Sequence, residues 1–251
     1  MSEGAPGFAH PFIAADAAAL GAAAAAHAAA RIRALAARHG RFAVVFATGA
    51  SQLATLRALT AMDLPWRQIV GFHLDEYIGL SAGHPASFRW YLREELAAKA
   101  PFAAFHFIAA DAADAAAACG EYARLLAAEP PRLGLIGIGE NGHLAFNDPG
   151  EADFDDPEAV KIVTLDSACR NQQVAEGWFP RLEDVPARAI TLTIPAIMQI
   201  PELVVSVPGE RKAAIVERVL RGPIGPECPA TILRRHARAA LFLDRASAAR
   251  L

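Results

Sequence analysis

Short runs of uninterrupted apolar residues recur along the chain, and stretches with helical spacing separate them. The runs over 42–46, 69–74, 101–108 and 132–139 read as buried strands. So do those over 160–165, 189–194, 202–207 and 239–244. Between them, the spacing predicts helices over 14–37, 52–62, 87–99, 111–128, 166–179 and 209–221, with a short helix after 194. Strands that are apolar throughout, alternating with amphipathic helices, imply a doubly wound α/β fold. Its single, mostly parallel sheet would carry helices on both faces. One domain over 1–251 is expected, with the helical segment 1–40 packed on it. The acidic, turn-rich stretch GEADFDDPEA reads as a surface excursion.

Composition narrows the class. Apolar residues make up 54% and charged residues 20%, enough for a sizeable core and too apolar for a disordered chain. With 24 basic against 27 acidic residues the net charge is -3, which argues against nucleic acid as a partner. A local cationic cluster for a small anion remains compatible. Three scattered cysteines suit neither a disulfide framework nor metal-ligand spacing, so a reducing cytoplasm is expected. MSEGAPGFAHPF lacks the basic and apolar blocks of a signal peptide. The Ala-rich run over 17–30 is too short and too weakly apolar for a membrane span.

In open parallel sheets, ligands bind beyond the carboxyl ends of the strands. Three polar, glycine-bearing segments fall at such ends. ATGAS places Thr48, Gly49, Ala50 and Ser51 between a strand and a helix; it reads as an anion cradle or as a plain turn with Ser51 as cap. HLDEYIGL places Asp75 and Glu76 after a strand, as solvated caps or as a base in a partly dry cleft. GIGENGHLAFNDP gathers Asn141, His143 and Asp148 in one loop, either turn-rich structure or an oriented imidazole for acid–base work.

Taken in order, GFHLDEYIGL, GHPASF, GIGENGHLAFNDP, VPGERKA and GPIGPECPATILRRHARAALFLD resemble the glucosamine-6-phosphate deaminase family, within the group that includes 6-phosphogluconolactonases. The resemblance runs from about 42 to 244. It implies isomerisation of an amino-sugar 6-phosphate with release of ammonia, without metal or organic cofactor. Asp75 would move a proton between C2 and C1, and His143 would open the pyranose ring with Asp148 in support. Thr48, Gly49, Ala50 and Ser51 would help hold the phosphate, with Arg170 and Lys212 as its cationic ligands. The partner implied is a small sugar phosphate, with no membrane and no nucleic acid.

The chain departs from the family pattern at four points. Asn141 stands where Asp is common and Asp148 where Glu is usual. Phe88 replaces a common Tyr, and Ala50 replaces a second glycine. Asn141 can orient an imidazole by hydrogen bonding but brings no charge. Two other readings follow. A 6-phosphogluconolactonase-like hydrolase is disfavoured by DEY in place of DER and by GHLAFND in place of GHTAS. A catalytically silent sugar-phosphate sensor is suggested by Asn141. Regulated family members bind an acetylated amino-sugar phosphate in a hexamer. With about seven residues after Asp244, no such regulation is expected, and homo-oligomerisation stays open.

Overall fold

The computed structural model describes residues 8–251. Residues 1–7, part of the stretch read above for a signal peptide, lie outside the described residues. In chain order the elements are β1 (Phe12–Ala14), α1 (Ala17–Ala36), β2 (Phe42–Phe46), α2 (Ala50–Thr60), β3 (Ile69–His73), β4 (Asp75–Tyr77), α3 (Phe88–Leu92), β5 (Ala104–Phe105) and α4 (Ala115–Ala128). There follow β6 (Pro131–Ile136), β7 (Val160–Thr164), α5 (Ser167–Ala175), β8 (Arg188–Leu192), α6 (Ile194–Met198), β9 (Leu203–Val207), α7 (Ala213–Arg221) and β10 (Ala239–Asp244).

Seven strands form one parallel sheet in the order β1-β10-β9-β6-β2-β3-β5. Successive side chains of a strand point to opposite faces, and both faces here are covered. Val45, Val205 and Leu241 pack with Leu126 of α4, Ile197 of α6 and Val216 of α7. Their neighbours Val44, Val204 and Phe242 pack on the other side with Ile32 of α1, Leu56 of α2 and Leu92 of α3. This two-sided burial is why the strands read as unbroken apolar runs.

Helix starts are set by side-chain caps. Asp16 accepts the Ala19 N–H at 2.8 Å, so α1 begins at Ala17 and not at 14. The residues before it, Phe12–Ala14, instead pair with β10 as the edge strand of the sheet. In the same way Asp114 accepts from Ala117 N–H at 2.9 Å and starts α4 four residues later than its spacing suggests. The Ala-rich face of α1 offers little bulk, and close approach replaces it. Gly21 lies so near Ala54 of α2 that an added Cβ would collide. Among the described residues, no helix is long and apolar enough to cross a membrane.

The expectation that every strand joins one sheet needs correction. β4, β8 and β7 form a separate antiparallel sheet, with β8 in the middle. Its own cluster packs Tyr77, Phe146, Val163, Leu165 and Phe179. The chain leaves the main sheet at Leu74, whose carbonyl accepts the Leu192 N–H at 2.8 Å, and enters β4 one residue later. Asp75 therefore stands at the seam between the two sheets. Residues 93–97 continue α3 as a π-helical turn, and Pro229–Arg235 add a 3₁₀ run that the apolar pattern did not announce.

Candidate active site

The carboxyl ends of β9, β6, β2 and β3 lie side by side, and the segments leaving them enclose a cavity of about 400 Å³. That volume suits a small polar metabolite. Thr48, Gly49, Ala50, Ser51, Asp75, Phe88, His143 and Lys212 all line it, as do Gly137–Glu140 and Gly209–Arg211.

Two glycines with positive φ shape one end. Gly49 (φ 93°) precedes α2 and Gly209 (φ 97°) precedes the 3₁₀ turn Glu210–Lys212 that leads into α7. Neither start carries a side-chain cap, so N–H groups at the head of the eleven-residue α2 remain for an anion. Asp244, at the end of β10, fixes the second turn. Both its carboxylate oxygens accept the Gly209 N–H, at 3.1 and 3.0 Å, and one also accepts Ser247 N–H at 2.7 Å. Lys212 is only 8% exposed and donates to the Ile138 carbonyl at 2.8 Å. Burial pushes its ammonium below the ordinary lysine range, and the nearby Glu140 and Glu176 oppose that shift.

The other end is made of carboxyls. Asp75 is 6% exposed, and its carboxyl is pushed well above the usual range, first by burial and then by Glu76 and Asp148. Glu76 faces away into a nest of donors: Ser87 Oγ at 2.8 Å, the Arg89 N–H at 2.9 Å and the Tyr77 N–H at 2.9 Å. Its role is to anchor the start of α3, so of this carboxylate pair only Asp75 reaches the cavity.

His143 sits between. Its Nδ1 lies 3.0 Å from Asp148 Oδ1, which leaves Nε2 as the nitrogen available to a ligand. The ring packs flat over Gly139, where any Cβ would strike the imidazole. Asp148 is fully buried. Burial would raise its carboxyl, but His143, the Asn141 amide and a backbone N–H together hold it below the ordinary range. Asn141 does not bond the imidazole ring. Its Nδ2 donates to Asp148 Oδ1 at 2.9 Å and its Oδ1 accepts the His143 backbone N–H at 3.0 Å. It thus fixes the loop and the helper carboxylate, and Asp148 alone faces the ring nitrogen. Ala145, also on the cavity wall, is held at φ 51°, a left-handed conformation that costs energy in a non-glycine residue.

His143, Asp148 and Cys169 bring three potential metal donors within 4.8 Å of one another. Burial and the Asp148 charge push the Cys169 thiol far above its ordinary range, so the group stays a neutral thiol at neutral pH.

Arg170 stands apart from the other residues expected to hold a phosphate. It is not on the cavity wall; its Nη2 donates to the carbonyls of Leu182 at 2.7 Å and Val185 at 3.0 Å. Helical geometry explains this. Positions 169, 172, 173 and 176 share one face of α5 and its continuation, and residue 170 lies about 100° away from 169. Gln172, Gln173 and Glu176 line the cavity instead. These three, with Glu140 and Arg211, are site residues the sequence reading missed. The i, i+3, i+4, i+7 spacing could have found the α5 set, and adjacency to Lys212 pointed to Arg211.

A family model described as glucosamine-6-phosphate isomerases/6-phosphogluconolactonase matches residues 15–242. The glucosamine-6-phosphate deaminase of Listeria monocytogenes serotype 4a is 33% identical over 82% of this chain and 86% of its own length. That of an Exiguobacterium species is 36% identical over 83% and 80%. Among solved structures, a monomeric glucosamine-6-phosphate deaminase superimposes with a TM-score of 0.86 at 27% identity, covering 96% of this chain and 99% of the other. The 6-phosphogluconolactonase of Trypanosoma brucei gives 0.79 at 20% identity over 96% and 98%, a likeness of fold alone.

Proposed function

We infer that this chain, which belongs to the glucosamine-6-phosphate isomerase/6-phosphogluconolactonase family, converts an amino-sugar 6-phosphate, glucosamine 6-phosphate first among them, into fructose 6-phosphate and ammonia. One observation carries the reading. A buried carboxyl, Asp75, and an imidazole backed by a carboxylate, His143 with Asp148, share a single cavity with Lys212 and the uncapped start of α2.

The phosphate goes to the glycine-shaped end, held by the Lys212 ammonium and by N–H groups of α2. That places the sugar over the carboxyl end. His143 exchanges a proton between the anomeric hydroxyl and the ring oxygen, opening the pyranose to the aldehyde. Asp148 stabilises the imidazolium formed on the way, as a carboxylate behind a catalytic histidine does. Asp75 takes the C2 proton and returns it to C1, which shifts the carbonyl oxidation level from C1 to C2. The resulting iminium takes up water at C2 and expels ammonia. Substrate plus water balances against ketose phosphate plus ammonia, with no external oxidant or reductant. The raised pKa of Asp75 suits it to this work, because a more basic carboxylate removes a carbon-bound proton more readily.

The test is to incubate purified protein with glucosamine 6-phosphate and follow ammonia and fructose 6-phosphate. Both products are expected, and Asp75→Asn is expected to yield neither. No product above that variant, or faster opening of 6-phosphogluconolactone, would overturn the reading. Calorimetry showing tight binding of glucosamine 6-phosphate without turnover would point to a sensor.

A further inference from the structure

A phosphate monoester carries between one and a half and two negative charges at neutral pH, roughly, and one buried ammonium does not balance it. Arg170 lies off the cavity wall, with its Nη2 on the carbonyls of Leu182 and Val185. Among the described residues, Arg211 is the other Lys or Arg on the cavity wall. It immediately precedes Lys212 on the turn that Gly209 opens, and its side chain is 55% exposed.

Arg211 rests on acids. Its Nη2 lies 2.7 Å from Glu140 Oε1 and 3.9 Å from Glu176 Oε1, and both carboxylates line the cavity. Glu140 Oε1 has no other partner, whereas Glu176 does not depend on the pairing. Glu176 already accepts Gln172 Nε2 at 2.7 Å and Trp178 Nε1 at 3.2 Å. Glu140 is partly open to water, which can replace the guanidinium. An exposed ion pair of this kind contributes little to stability, whereas a guanidinium on a phosphate makes two parallel charge-assisted bonds. The exchange therefore runs toward the phosphate.

We propose that Arg211 is the second cationic ligand of the substrate phosphate, released to it from Glu140. This rests on the sugar-phosphate reading of the cavity and assigns a residue to it. Arg211 leaves the acid on the loop after β6 and closes on the ester beside Lys212, in the place that the family resemblance had given to Arg170. Glu140 acts as a competitor for the guanidinium, so it weakens phosphate binding, although it is itself part of the wall.

The experiment is calorimetric titration with inorganic phosphate, which needs no turnover, alongside KM and kcat for glucosamine 6-phosphate. Arg211→Ala should weaken phosphate binding and raise KM by about tenfold or more, with kcat much less affected; Arg211→Lys should recover part of the loss. Glu140→Gln should tighten phosphate binding. Arg221→Ala, an exposed arginine on α7 that pairs with Glu217, should match the wild type and control for net charge. The proposal falls if Arg211→Ala binds phosphate as the wild type does, if the wild type binds none at millimolar concentrations, or if Glu140→Gln weakens binding as much as Arg211→Ala. Phosphate affinity that follows Arg211 in a protein releasing no ammonia would sustain this assignment and sink the deaminase reading. Ammonia release with affinity indifferent to Arg211 would do the reverse.

Discussion

The two ends of the cavity solve opposite problems. At the glycine-shaped end, backbone N–H groups and a buried lysine face the cavity and suit an anion. At the other end, Asp75 and Asp148 put acidic groups into dry surroundings with Glu76 behind them, and the Asp75 carboxyl moves far from its ordinary pKa as a result. The first end leaves backbone donors without side-chain caps, which costs little where solvent can reach them. The second stores an unfavourable charge, which the folded state must hold against its own stability. Binding and chemistry should thus respond to mutation in separable ways.

Asp75→Asn should have the largest effect. Turnover of glucosamine 6-phosphate should fall by about a thousandfold or more, while inorganic phosphate still binds. Stability should move the other way. Because the folded-state pKa of Asp75 is raised, the native form binds more protons than the unfolded chain. Its contribution is fully present below the ordinary carboxylate range and is lost as pH rises through the raised value. The Asn variant should therefore melt higher than wild type at neutral pH and lose that part of the pH dependence. For the same reason the acid limb of kcat/KM in the wild type should lie above the ordinary carboxylate range. A lower melting temperature for the variant would break the contrast between the ends.

Gly139→Ala comes next. Its methyl group would displace the His143 ring, so kcat should fall by about a hundredfold with phosphate affinity intact. Equal losses in both quantities would show that the ends are mechanically coupled.

Asn141→Asp should be milder and is the sharper test. Restoring the acid common in the family sets a carboxylate where an amide now donates to Asp148 at 2.9 Å. One of the two must then hold a proton or move apart. Turnover should drop by about tenfold and its acid limb should shift to higher pH. A gain in turnover would mean that the shorter Asp148 tolerates an acidic neighbour. Arg170→Ala should change KM least, by no more than about twofold. Chemical denaturation should show a loss of about 1–3 kcal/mol, since two carbonyls lose their donor.

Much of this was legible in the residues themselves. Strands buried on both faces announce themselves as apolar runs, so β2, β3, β6, β9 and β10 follow from spacing alone. β1 and β4, at three residues each, carry no periodicity to read. β7 and β8 look like main-sheet strands because their separate sheet packs its own apolar cluster. In the site, Asp75 and His143 lie in segments just beyond main-sheet strands, where local sequence is informative, whereas Lys212 came only from the family resemblance. Arg170 was assigned through the family resemblance, and the spacing of α5 was used to find a helix and not to ask which face each residue occupies. The Glu140–Arg211 pair joins segments about seventy residues apart, and only the adjacency of β6 and β9 in the sheet brings them together.

Asp244 ties the far end of the chain to this chemistry. By clasping the Gly209 amide with both oxygens while its neighbour Ser247 steadies it, a residue outside the cavity decides how Lys212 is presented. Fusions, tags or cuts placed just after β10 would therefore tug on the turn that carries Lys212, although they sit outside the cavity wall. A tail that looks free to engineer is, through that clasp, part of the handle.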